Sequence, residues 1–341
     1  MLARKIFVIF VLFLVTLIGC NESVTTFNSS GQNNVFSIPA WDYSDNHYFI
    51  DTLYKRSFLI IMNDSTGLIP QFVLDNKIRT GLPSFQVWVQ CDNTHPNKKT
   101  AVAWIYLPER PINGYDTSFK RIDAIPDTCF YGFFRELIPS EYYINPLAGF
   151  IGLKINVPEN YCVAVTYETY GGKKYGKGKY DVAGNEMMIL KTIKCSNQTP
   201  DATPRAWELK MKNVYRLPYY QISNTNFKLD VFLQNNNYSY QSNIPGHKLT
   251  LSQMLLIDRY TGGIKIWNPD GLFDWIEGRT IIPETGDIIF PTLYPFGDDL
   301  GKFASDSILL FREIYSRRKS VVSISIQSNY YHIRGYVDTL K

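Results

Sequence analysis

The residues with most to offer chemically are four histidines, His47, His95, His247 and His332. Imidazole is the commonest general base and a frequent metal ligand. None of the four has a partner at the helical spacing of a metal pair or a motif-defined base. No Gly-x-Ser-x-Gly nucleophile elbow occurs. Gly171 to Lys177, GGKKYGK, has the Gly and Lys spacing of a phosphate loop, but Gly178 stands where a Ser or Thr would hold magnesium, so a basic hairpin tip is expected. One cation site is spelled more fully. Asn268, Asp270, Gly271 and Glu277 fall at positions three, five, six and twelve of a calcium loop, where hard oxygens surround the ion and glycine allows the sharp turn. Ile266 at position one cannot ligate, which leaves Asp258 or Asp274 to supply the missing oxygen. A polar turn held by side-chain hydrogen bonds accounts for the same residues. With calcium the only cofactor suggested and no catalytic signature, the chain reads as non-enzymatic.

The targeting segment sets the compartment. Arg4 and Lys5 precede an apolar run from Ile6 to Ile18, ending Leu17-Ile18-Gly19-Cys20. The run is too short to span a bilayer well. Its ending resembles the bacterial lipobox, which implies removal of residues 1–19 and acylation of Cys20, with stable membrane anchoring by several acyl chains. Asn21 follows the cysteine in place of an inner-membrane retention aspartate, so an outer-membrane location is expected, with the leaflet open.

Loss of Arg4 and Lys5 from 35 basic residues leaves 33 against 31 acidic, a net of +2. That balance makes no electrostatic case for nucleic acid, so protein, lipid or glycan partners are expected. The 24 Tyr and 21 Phe suit strands with half-buried faces. They also leave open a surface glycan-binding lipoprotein, and a small membrane barrel is a further rival. Cys91, Cys129, Cys162 and Cys195 permit two disulfides in three connectivities, or buried thiols. Their spacings of 38, 33 and 33 residues lack the close pairs of a zinc site.

Hydrophobic patterning predicts a mainly β protein made of two antiparallel, sandwich-like domains with a few short helices. Residues 20–39 read as a flexible tether, 40–195 as the first domain, SNQTPDATP (196–204) as a boundary, and 205–341 as the second domain. Strands are expected in Phe85–Val89, Val102–Tyr106, Tyr161–Tyr167, Phe227–Phe232 and Ser323–Ile326, with Gly171-Gly172 turning the third back. Capping residues place short helices after Thr250 and after Ser305-Asp306. The segment Trp207 to Leu217 fits strand or helix. Finally, Tyr142 to Leu153 and Arg279 to Phe290 share Ile, Pro, Gly and Ile at equal offsets 137 residues apart, and both read as tight hairpins.

Trp207 to Tyr215, Phe227 to Val231, Leu255 to Arg259, Asn268 to Gly278, Ile288 to Pro291 and Pro295-Phe296-Gly297 resemble successive landmarks of the SprA family of gliding-motility and type IX secretion proteins. Val87-Trp88-Val89, Pro139 to Tyr142, the hairpin around Gly149 and Val163 to Glu168 are similar in the family's order, so the resemblance runs from about His47 to near Val337. It implies association with an outer-membrane translocon and its secretion and gliding proteins. Family members are much larger and carry a membrane barrel, for which this chain has too few strands. A lipobox ahead of such a segment suggests a free-standing module or one part of a divided gene, and whether Lys341 is the natural end stays open.

Overall fold

A computed structural model describes residues 34–110, 129–184, 186–235, 238–261, 267–304 and 307–339. The residues read as a signal segment and Cys20 lie outside the described residues, as does the side chain of Cys129. The chain is mainly β, with several antiparallel sheets and only short helices. Strand β1 is Asn34–Pro39, β2 His47–Phe49, β3 Phe85–Gln90, β4 Lys99–Trp104, β5 Cys129–Glu136, β6 Tyr142–Asn145, β7 Phe150–Leu153, β8 Val163–Glu168, β9 Lys174–Tyr175 and β10 Met188–Lys194. Then come β11 Val214–Arg216, β12 Ile222–Gln234, β13 Tyr240–Gln241, β14 Ile281–Ile282, β15 Asp287–Ile289 and β16 Tyr331–Thr339. Helices α1 Tyr54–Asn63 and α2 Gln71–Asn76 lie between β2 and β3. Single turns α3 Pro204–Trp207, α4 Leu251–Met254, α5 Glu313–Ser316 and α6 Lys319–Val322 serve the second half. Four sheets result, ordered β1-β16-β12-β13, β10-β4-β5-β3-β8-β9, β11-β15-β14 and β2-β7-β6.

The two hairpins singled out by their shared residues are equivalent parts of a duplicated unit. Gly149 and Gly286 take φ of 66° and 68°, and each N–H donates to the carbonyl four residues back, Asn145 at 2.8 Å and Ile282 at 2.9 Å. The carbonyls of Pro146 and Pro283 both accept from an isoleucine, Ile78 and Ile222, at 3.0 Å. Those isoleucines in turn face Thr169 and Thr339. Strand β2 lies on β7 as β11 lies on β15, setting Tyr48 opposite Ile151 and Tyr215 opposite Ile288. Behind them β3 pairs with β8, and β12 with β16, both antiparallel. Each unit is thus a short strand, a proline-glycine hairpin and a longer antiparallel pair.

The cores are exchanged between the units. Phe36, Ile38, Ala40 and Tyr43 pack with Tyr215, Val231, Ile288 and Ile333 of the second unit. Leu209, Met211, Val214 and Ile289 pack with Tyr48, Phe58, Phe150 and Val165 of the first. This corrects the reading of two domains parted at 196–204: the described residues fall in one compact unit, and a cut at that point would strip apolar side chains from both cores. The flexible tether expected through residue 39 is corrected at its last six residues. Asn34–Pro39 is β1, paired along its length with β16. It occupies on β16 the edge that β10 occupies on β8, so the strand entering the first unit closes the sheet of the second.

Other expectations divide. Phe85–Val89, Phe227–Phe232 and the return at Gly171-Gly172 are strands and turn as read, and the Thr250/Gln253 capping box forms, with Gln253 N–H donating to Thr250 Oγ1 at 3.2 Å. Ser323–Ile326 is no strand. It joins α6 to a 3-10 turn at Ile326–Asn329, and Ile324 and Ile326 project into solvent. Alternation there had no sheet face to match. Ser305-Asp306 lie outside the described residues, and Ser307–Leu309 is one 3-10 turn. Trp207 to Leu217 is neither expected alternative, but a helical turn, an irregular stretch and β11.

The two hairpin glycines are spaces as well as turns. A Cβ at Gly286 would stand 2.1 Å from the Tyr219 carbonyl oxygen, and one at Gly149 2.0 Å from the Tyr54 ring. At Gly67, with φ of 77°, it would meet nothing within 4 Å. Urea unfolding should therefore show Gly286→Ala costing more than Gly67→Ala, which carries only the left-handed penalty of about 1–2 kcal/mol. Equal losses would mean that the hairpin tolerates displacement of its neighbour.

Candidate functional site

The two units meet along strands β2 and β11. Ser44 N–H donates to the Val214 carbonyl at 2.7 Å, and Met211 N–H to that of His47 at 2.9 Å. Leu153 N–H reaches Asn46 and Phe290 N–H reaches Asn213, both at 2.9 Å. Every residue in the second member of each couple is the counterpart of one in the first, so the seam has approximate two-fold symmetry.

Side chains break that symmetry. Facing positions Phe49 and Phe150 in the first unit become Arg216 and Asp287 in the second, and Val214 has His47 as its counterpart. The result is a buried polar cluster. Asp287 Oδ1 accepts from Arg216 Nε at 2.7 Å and Oδ2 from Arg216 Nη2 at 3.0 Å, with Thr285 Oγ1 also donating to Oδ2. His47 Nε2 lies 3.2 Å from Asp287 Oδ2 and 2.8 Å from the Tyr143 hydroxyl, while Nδ1 lies 2.7 Å from Ser44 Oγ. Burial alone would push the Asp287 carboxyl up, but His47 and Arg216 outweigh it and hold the pKa well below the usual carboxylate range. The Ser44, His47 and Asp287 chain has the composition of a hydrolytic relay. Yet His47 and Asp287 are fully buried, and none of the three lines the large cavity beside them. The arrangement is suited to clamping the hairpin β14–β15 and β6 to the strand β2.

That cavity, of about 550 Å³, lies where Tyr43, Asp45, Asn46 and Tyr48 approach Trp207, Lys210 and Lys319. Asp45 bridges two ammoniums, Lys210 at 2.5 Å and Lys319 at 2.8 Å. Both lysines stand over the Tyr43 ring, at 5.3 and 4.7 Å, and Lys210 and Lys212 stand over Trp207, at 5.7 and 4.5 Å. Lys194 donates to the carbonyls of Pro158, Glu159, Tyr161 and Cys195, and burial pulls its pKa down to about 8. The pocket offers ammoniums, amides and one exposed guanidinium, Arg318, while its aromatic faces are already covered.

The residues read for calcium hold a polar turn. Asp258 Oδ1 accepts from the backbone N–H groups of Asp270 at 3.0 Å and Gly271 at 3.3 Å, Asp270 Oδ1 from Leu272 N–H at 3.0 Å, and Asp274 from Arg259 N–H at 3.0 Å and Tyr260 N–H at 3.1 Å. Asn268 donates to Thr261 Oγ1 at 2.9 Å and Glu277 accepts from Trp275 Nε1 at 3.4 Å. The carboxylates are spent on turning the chain, and among the described residues no three His, Cys, Asp or Glu side chains gather as a metal site. Arg259 and Arg279 then reach the C-terminal end of α1, each donating to the Met62 carbonyl, at 3.2 and 2.9 Å. Positive charge there complements the helix dipole.

Cys91, Cys162 and Cys195 are thiols, not half-cystines. At the GGKKYGK tip, Lys173, Lys174 and Lys177 pair with Glu109, Glu168 and Glu186. No charge is left over there for a phosphate. His47 was the histidine with a network, and nothing near it in sequence could show that, since its carboxylate lies 240 positions on. Comparison with known proteins finds no matching family model and no matching curated protein.

Two measurements follow from this geometry. Because Asp287 has a folded pKa below its unfolded value near ~3.9, it stabilises the fold above that pH, and the contribution is lost as pH falls through and below it. Asp287→Asn should cost about 3–5 kcal/mol at neutral pH, having left Arg216 and His47 facing no charge, and should flatten the acid limb of a stability-against-pH curve. Calcium added after chelation should leave the Tm unchanged, since a cation would have to displace backbone N–H partners; a rise would restore the metal reading.

Proposed function

We propose that the protein is a non-enzymatic, lipid-anchored, SprA-like module of the outer membrane, acting as an accessory or partner in type IX secretion and gliding motility. The observation that carries this reading is where the resembling residues fall. Trp207 to Tyr215 runs along the seam, Asp258 and Arg259 join the acidic turn to the end of α1, and Ile288 to Phe290 form the hairpin strand that receives β11. In the first unit the similar stretches fall on β3, β6–β7 and β8, the corresponding elements. The remaining similar stretches, Leu255 to Arg259, Asn268 to Gly278 and Pro295 to Gly297, lie in the loops between these elements.

Glycan binding is the weaker reading. Sugar rings stack on open aromatic faces; in the cavity Trp207 is 7 % exposed and covered by lysines and Tyr43 is 1 % exposed, so stacking would fall to isolated surface rings such as Tyr106, Tyr220 and Trp267.

Crosslinking in cells of the acylated protein, followed by mass spectrometry, should recover outer-membrane secretion or gliding components. Its mature N-terminus should be an acylated Cys20. Recovery of no such component would remove the functional reading, and an unacylated N-terminus would remove the anchor.

A further inference from the structure

Between Ile314 and Val337 the chain carries Arg317, Arg318, Lys319 and Arg334 and no acidic residue. Within that stretch α6 ends at Val322 and the 3-10 turn begins at Ile326, so residues 323–325 form a short tip between two single turns. Ile324 is 84 % exposed and Ile326 88 % exposed. Val321 and Ile308 are also exposed, and Gln327 Nε2 donates to the Ile308 carbonyl at 2.9 Å, tying the two neighbouring loops together. Single exposed aliphatics are ordinary. Two nearly bare isoleucines one residue apart, with two more aliphatics on joined loops, concentrate apolar surface at one projection.

We propose that this tip, from Arg317 to Gln327, is a lipid-contact surface, with Ile324 and Ile326 entering the boundary between headgroups and acyl chains of an anionic membrane and Arg318 facing the headgroup phosphates. Charge complementarity favours a lipid surface. Arg317 and Arg318 are exposed; Arg317 pairs with Glu313 at 3.4 Å and Lys319 with Asp42 and Asp45, so the charge offered to a lipid is that of Arg318, which forms no ion pair among the described residues and stands at the rim shared with the cavity. Basic residues flanking exposed aliphatics are the pattern of interfacial contact, in which apolar burial and attraction to anionic lipid add together. Protein hot spots instead centre on aromatic and Arg anchors in recessed, desolvated pockets. This projection has no exposed aromatic at its apex. The length of chain ahead of β1 fits as well: the 14 steps from Cys20 to Asn34 reach at most about 50 Å, which keeps an anchored module close to its bilayer. That last point rests on the anchor proposed above; the surface argument does not.

The test uses the chain from Asn21, which contains the whole compact unit and lacks the acylated cysteine. Co-sedimentation with vesicles of phosphatidylcholine alone and of phosphatidylcholine with about a third phosphatidylglycerol, at low and at physiological salt, separates the apolar from the electrostatic contribution. Binding is expected to the anionic vesicles and to weaken with salt. Ile324→Glu/Ile326→Glu should lower it by roughly tenfold or more, given the aliphatic area withdrawn from water, with an unchanged Tm because both positions are exposed. Arg318→Glu should weaken binding to the anionic vesicles alone. Absence of binding to either vesicle, or binding that the double variant leaves intact, overturns the proposal. So does concentration-dependent dimerisation abolished by Ile324→Glu, which would assign the tip to a second copy. Failure here with Cys20 still acylated in cells would leave the anchor standing without this surface.

Discussion

The crossing of two short strands governs the architecture. Ser44 and Met211 each donate a backbone hydrogen bond to the strand of the other unit, and Asn46 and Asn213 each receive the returning strand of a hairpin. With the strands locked in this register, Tyr48 and Tyr215 are carried into cores on either side, fully shielded from water. Register matters because a slip of one residue would turn both tyrosines to the opposite face. The strand entering each unit packs in the core of the other, so the crossing and the two cores form together. Neither half buries its apolar surface alone.

On this nearly symmetric frame the side chains divide the work unequally. One hairpin carries a Phe49–Phe150 pair, and the other carries Arg216–Asp287 at the same positions. Burying a carboxylate is costly unless it is paired and fully hydrogen-bonded. Asp287 meets that condition through Arg216, Thr285, Tyr143 and His47, the last two supplied by the other unit. The apolar pair is tolerant of small displacements, but the ionic one is directional. Arg216 and Asp287 belong to the same unit, so the bonds of Asp287 to His47 and Tyr143 are what tie this fixed carboxylate across to the other unit.

The strands that cross at the seam and the hairpins that receive them are the positions where a change in identity would disturb both units. The cavity, lined by lysines that already hold Asp45 and cover the aromatic rings, is poorly arranged for stacking a sugar. The exposed basic and aliphatic tip lies in the stretch leading into β16, the strand whose free edge β1 covers.

How much of this was legible in the chain itself depends on the range of the interaction. Alternation in Phe85–Val89 and Phe227–Phe232, the capping box at Thr250, and the proline-glycine hairpins at Gly149 and Gly286 are local, because backbone angles and side-chain periodicity act within a few residues. The repeated Ile, Pro and Gly offsets marked two like hairpins, but that they belong to a duplicated unit shows only in the strands paired around them. Only the tertiary structure decided that residues 34–39 are a strand and that the two halves share their cores, since both depend on partners nearly 300 positions away. The same is true of His47, which has no local signature and acquires its role when Asp287 arrives from the second hairpin. Asp258, Asp270 and Asp274 show the converse. Their composition suited a cation, but only the fold shows that backbone N–H groups face them, so that they hold the turn.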